Sequence, residues 1–108
     1  MPIPQLTILQ WLVLEIIGGC ERPGKHIREV LSERGHRKSL PAFYQMMARL
    51  EDAGLVSAQS ARVEVDGHGV TERRYKLTGK GLKDLNSARD VFAEMEVTKV
   101  PGRKGFNA

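Results

Sequence analysis

The stretch Phe43–Val56, FYQMMARLEDAGLV, holds an aromatic pair, two methionines, mixed charge and a Gly-Leu-Val exit. At helical spacing Phe43, Met47 and Leu50 fall at i, i+4 and i+7, with Met46 flanking, so one side is apolar. Gln45, Ala48, Arg49 and Asp52 take the other side and Tyr44 the edge. Ser39 is a good N-cap, Pro41 is tolerated in the first turn, and Gly54 suits the C′ position. The spacing therefore predicts a helix over 39–53 with an anchored back and a polar front. That front has a definite chemistry. Gln45 and Arg49 offer hydrogen-bonding groups there, and small Ala48 lets the helix approach a partner closely.

Upstream, Ile27, Val30 and Leu31 give a helix over 25–34 one apolar face, and Gly35 ends it. A first helix over 5–17 precedes it, stopped by Gly18-Gly19. Its apolar residues do not keep to one stripe: Leu6, Leu9, Val13 and Ile17 share a side, while Ile8, Trp11 and Leu12 point elsewhere. A short helix that is apolar nearly all round meets neighbours on more than one side, and a second subunit is the expected one. Downstream, residues 57–65 alternate, with Ala61, Val63 and Val65 on one face and Ser60, Arg62 and Glu64 on the other. Asp66–Gly69, DGHG, is a turn signal. The returning strand points Tyr75 and Leu77 inward and Arg74 and Lys76 outward. Thr78 caps a last helix reaching about Glu96, with Leu82, Leu85, Ala88, Phe92 and Met95 along one stripe.

The chain has 108 residues, enough for one core, and 41% of them are hydrophobic. Its net charge of +4 suits a polyanionic partner without requiring one. Residues 22–40 carry six cations (Arg22, Lys25, Arg28, Arg34, Arg37, Lys38) against Glu29 and Glu33, so this segment alone has a local charge of +4. The single cysteine, Cys20, cannot form an internal disulfide. No secretory signal is expected, and the most apolar segment is too short to span a bilayer, which together suggest a cytoplasmic protein. His26, His36, His68 and Cys20 lack the paired spacing of a zinc site, and no phosphate loop or nucleophile motif stands out. No metal, cofactor or enzymatic activity is expected.

The order helix, helix, turn, helix, hairpin, helix is the winged helix-turn-helix arrangement, in which the third helix enters the DNA major groove. Phe43-Tyr44, Arg49-Leu50-Glu51, Gly54-Leu55-Val56, Tyr75-Lys76-Leu77-Thr78 and Gly81 together resemble the motifs of PadR-like transcriptional regulators, and LTILQWLVLEII (Leu6–Ile17) is similar to that family's first helix. The resemblance covers roughly residues 5–90. It departs at Gly24-Lys25, where members usually carry Gly-Tyr, and the chain is similar to the short branch with a single C-terminal helix.

The expected fold is therefore mainly α with a small two-stranded antiparallel β-wing, a winged helix-turn-helix plus a C-terminal dimerisation helix. Residues 1–96 should form the domain and 97–108 a disordered basic tail. The expected partners are double-stranded DNA and a second copy of the chain, in a repressor. Candidate DNA contacts are Arg37, Lys38 and Ser39 before the third helix, and Tyr44, Gln45 and Arg49 on it. In the wing they are Arg62 and Arg74, which with Lys76 are expected to share the solvent face, and His68 at the tip. Candidate dimer contacts are Leu9, Trp11, Leu85, Phe92 and Met95. The resemblance further implies a cavity at the dimer interface for a small aromatic effector, with Trp11, Phe92 and Met95 as its lining. A winged-helix adaptor that docks proteins through its first and last helices is the competing expectation.

Overall fold

The computed structural model describes residues 6–99, and side chains as far as Met95. Helix α1 spans Ile8–Ile17 and starts later than hydrophobicity alone suggests, because Thr7 and Gln10 form a reciprocal capping box. The Thr7 hydroxyl accepts from the Gln10 N–H at 3.0 Å, and the Gln10 side-chain oxygen accepts from the Thr7 N–H at 3.1 Å. Strand β1, Arg22–Pro23, leads into α2, Gly24–Glu33, and α3 follows at Leu40–Asp52. The Ser39 hydroxyl accepts from the Ala42 N–H at 3.3 Å and so caps α3. Strands β2, Val56–Val65, and β3, His68–Leu77, form the hairpin, and α4 covers Gly79–Lys99. Asp66 and Gly67 turn the hairpin with φ of 52° and 80°, the positive values that a two-residue primed turn requires.

The sheet has three strands rather than the two expected, in the order β1-β3-β2 and antiparallel throughout. The extra strand is two residues long, with Arg22 opposite Tyr75 and Pro23 opposite Arg74, too short to leave a periodic signal. Helix α4 runs to Lys99, past the boundary set for the tail, and residues 100–108 lie outside the described residues.

The core lies between the helices and the base of the hairpin. Leu14 and Ile17 of α1, Ile27 of α2, Phe43 and Met47 of α3, Tyr75 of β3 and Leu85 of α4 are all sealed from solvent. Gly81 lets α4 seat against this core: a Cβ there would lie 2.0 Å from the Leu55 carbonyl oxygen. The same carbonyl accepts from the Thr78 N–H at 3.1 Å. Thr78 also donates its hydroxyl to the Gly54 carbonyl at 2.5 Å and accepts from the Gly81 N–H at 2.9 Å. The exit of α3, the start of β2 and the start of α4 are thereby tied at one point. No described helix is long and apolar enough to cross a membrane.

Candidate nucleic-acid interface

Helix α3 divides as its sequence predicts. Phe43, Met46, Met47 and Leu50 are buried, while Gln45, Ala48, Arg49 and Asp52 face solvent, as do Leu40 at the helix start and Tyr44 at the edge. The Tyr44 ring sits edge-on to Phe43, with centroids 5.1 Å apart. Its hydroxyl oxygen lies 3.5 Å from where a Cβ on Gly24 would stand, so the start of α2 shapes the flank of the reading helix. Among the described residues neither Gln45 nor Arg49 is engaged in an ion pair or side-chain hydrogen bond. One helical turn separates them, about 6 Å along the axis, so they can reach base edges roughly two steps apart.

Arg37 and Lys38 lie on the connection into α3 and are likewise free of ion pairs among the described residues. Ser39 lies beside them, its hydroxyl oxygen accepting in the cap while its O–H can still donate outward.

The wing differs from expectation in the placement of its cations. Arg62 stands opposite Thr71, whereas Arg74 and Lys76 stand opposite Gln59 and Ser57. Side chains alternate along a strand, so Arg62 shares its face with Arg73 and Tyr75, and Arg74 and Lys76 occupy the other. The sequence showed the alternation within each strand but not the register between them. The Arg62 guanidinium folds across the strands over Gly69, where an added Cβ would lie 2.7 Å from Nη2. Arg74 is gripped by two carboxylates, donating to Glu21 at 2.9 Å and to Glu72, and these bonds raise its pKa. Phosphate contact by Arg74 would have to displace them. His68 stands beside the turn, exposed and opposite Val65.

Arg73 serves the fold. Its Nε donates to the Tyr75 hydroxyl at 3.1 Å and its Nη2 to Glu51 at 3.2 Å, joining the base of the wing to the end of α3. Burial pushes the Tyr75 phenol pKa up, and the Arg73 hydrogen bond opposes that shift.

On the far side, α1 and α4 form an apolar groove of about 240 Å³, lined among others by Ile8, Trp11, Val91, Phe92 and Met95. Trp11 stacks on Phe92 with ring centroids 4.1 Å apart and an interplanar angle of 11°. The Trp11 indole N–H is buried and, among the described residues, has no hydrogen-bond acceptor. Phe92 and Met95 remain 45% and 40% exposed and Leu9 is half-buried, leaving apolar surface for a partner. Leu85, assigned to the interface from the same stripe, is instead fully buried in the chain's own core, because the start of α4 packs on the domain before the helix extends beyond it. Arg89 clips the two helices together through two bonds to Glu15, at 2.7 and 2.8 Å, and holds the Glu15 carboxyl below its ordinary pKa. Among the described residues no cluster of His, Cys, Asp and Glu could hold a metal ion.

No family model matches the sequence, and no curated protein does. Solved structures do match. A PadR-like transcription factor from Bacteroides fragilis superposes with a TM-score of 0.67 at 23% identity, over 84% of this chain and 85% of that one. A PadR-like transcriptional regulator from Bacillus cereus gives a TM-score of 0.70 at 22% identity, over 84% and 86%. The fold is that of the PadR-like regulators. Bacillus subtilis PadR, solved in complex with operator DNA, matches with a TM-score of 0.62 at 19% identity, over 77% of this chain and 47% of that longer one.

Proposed function

We propose that the chain is a homodimeric PadR-like transcriptional repressor that binds double-stranded DNA sequence-specifically in the cytoplasm. The observation that carries this reading is the exposed face of α3, where Gln45 and Arg49 stand one turn apart without partners among the described residues. They read base edges in the major groove, and Tyr44 gives its hydroxyl to a phosphate. Arg37, Lys38 and Ser39 meet the backbone before α3. Arg62 and His68 reach the neighbouring backbone or minor groove from the wing, where Arg74 joins them only by leaving its carboxylates. The operator complex of Bacillus subtilis PadR supports the same role for this fold.

Dimerisation through Leu9, Trp11, Phe92 and Met95 sets two copies of α3 about one helical turn apart, which suits a pseudo-palindromic site. Sedimentation at tens of micromolar should give a dimer; a monomer removes this part of the reading. The Trp11–Phe92 groove is the place for a planar aromatic effector, whose polar edge could accept from the orphaned indole N–H. Trp11 fluorescence titrated with a panel of such compounds tests it, and no response across the panel leaves the cavity to packing alone.

A gel shift with the DNA upstream of the protein's own gene, at two salt concentrations, tests the main proposal. Retardation that weakens with salt is expected. No retardation even at low salt, from protein whose α1–α4 surface stays sticky, would favour the adaptor reading instead.

A further inference from the structure

We propose that Leu40 is a specificity-determining residue that reads the C5 methyl group of thymine in the DNA major groove. The inference rests on the DNA-binding reading above and deepens it, since that reading gives the apolar part of the α3 front no task. Two rows of side chains run along this front at i, i+4 and i+8 spacing. One is Pro41, Gln45 and Arg49, whose amide and guanidinium match the edges of adenine and guanine. The other is Leu40, Tyr44 and Ala48, all exposed and, the tyrosine hydroxyl aside, apolar. Leu40 is 47% exposed, Tyr44 is 37% exposed, and Leu40 stands outside the core cluster. Ser39 already caps the helix, so a leucine in its first position serves neither the cap nor the core.

An apolar side chain on a face that meets DNA needs an apolar counterpart there. On the base edges of the major groove the thymine methyl is that counterpart; the other groups are hydrogen-bond donors and acceptors. Charge decides which end of the row meets it. Lys38 stands just before Leu40, whereas Asp52 ends the same row with a carboxylate that phosphates repel. The Leu40 end therefore enters the groove most deeply, and the Tyr44 ring one turn on shields the contact from water. Leu40 and Gln45 are five residues apart, about 7.5 Å along the axis, which is roughly two base steps. The thymine thus stands about two steps from the base that Gln45 reads, on the side away from Arg49. Cytosine, with no methyl at C5, leaves Leu40 partly uncovered in the groove.

Fluorescence anisotropy on the duplex that wild type selects from a randomised library tests the contact. The duplex is also made with deoxyuridine in place of one thymine at a time, which removes the methyl and leaves the base pair. At one such position wild type should lose roughly fourfold in affinity per methyl removed. Leu40→Ala should bind the thymine duplex about as weakly as wild type binds the deoxyuridine one, and lose nothing further on the exchange. Leu40→Met, which keeps an apolar side chain there, should retain the loss. Circular dichroism confirms that both variants are folded. Equal losses in wild type and Leu40→Ala would mean that the methyl acts through DNA shape or another side chain, and would overturn the assignment. Wild type indifferent to every exchange would overturn it too, and the DNA reading stands in both cases. A library that yields no enriched site overturns the DNA reading and the methyl contact with it. 5-Methylcytosine carries the same methyl in the same groove. If no thymine matters, but methylating a cytosine at C5 tightens wild type and not Leu40→Ala, the contacted base is 5-methylcytosine and the thymine assignment falls.

Discussion

The arginines of the α1–α4 junction and the wing base contrast with the cations around α3. Arg73, Arg74 and Arg89 each hold a carboxylate, from Glu51, from Glu21 and Glu72, and from Glu15 respectively. Lys25, Arg28, Arg37, Lys38 and Arg49 hold none among the described residues. Residue types are shared between the two regions, so side-chain chemistry does not separate them. What separates them is whether the fold brings an acid from a distant segment alongside: Glu15 and Arg89 are 74 positions apart, Glu21 and Arg74 are 53 apart. Paired arginines orient elements and contribute little energy at the surface. Unpaired ones leave a field directed outward, which is what a polyanion meets first.

The contrast predicts that substitutions in the junction change stability, and that those on the α2–α3 face change binding. Gly81→Ala should have the largest effect, about 2–4 kcal/mol of stability, because the new methyl runs into the Leu55 carbonyl. Denaturant unfolding measures it, and a loss under 1 kcal/mol would show that α4 can shift freely. Arg49→Ala comes next, costing about 1–3 kcal/mol of binding free energy on the preferred duplex with the unfolding midpoint unchanged. Arg89→Ala should cost roughly 0.2–1 kcal/mol of stability and leave monomer binding to random-sequence DNA as it was. The smallest effect is its pH dependence. Glu15 has a lowered pKa when folded, so the clip stabilises at neutral pH and its contribution is lost as the pH falls through that lowered value. The difference between wild type and Arg89→Ala should therefore be full at neutral pH and shrink in acid; a constant difference would mean that Arg89 acts by packing alone.

The readable parts of the fold were those written in local spacing. Ser39, the Phe43-Met47-Leu50 stripe, Gly54 and the turn signal at Asp66–Gly69 each act within a few residues, and the structure uses them, closing the turn already at Asp66-Gly67 with His68 and Gly69 in β3. The features that escaped depend on distant partners. The β1 strand exists only because β3 lies beside it, and the carboxylates that hold Arg74 come from the α1–α2 loop and from β3 itself. Arg62 and Arg74 fall on opposite faces because the hairpin pairs Val65 with His68 and hence Arg62 with Thr71, a consequence of turn and alternation taken together that neither strand shows by itself. Leu85 and Phe92 belong to one stripe of α4, yet only tertiary packing decides where that stripe leaves the core. The α3 front was legible and the groove beside α2 only in part: its net charge could be counted, but the concavity arises from α2 and the connection together.

Selection of binding sites from a randomised duplex library, run in parallel for wild type and Arg49→Ala, tests the reading face most directly. Wild type should enrich a two-fold symmetric site with a fixed guanine in each half, and the variant should lose preference at that guanine while keeping the remaining positions. An identical enriched site from both proteins would contradict the assignment of α3 as the element that reads the bases.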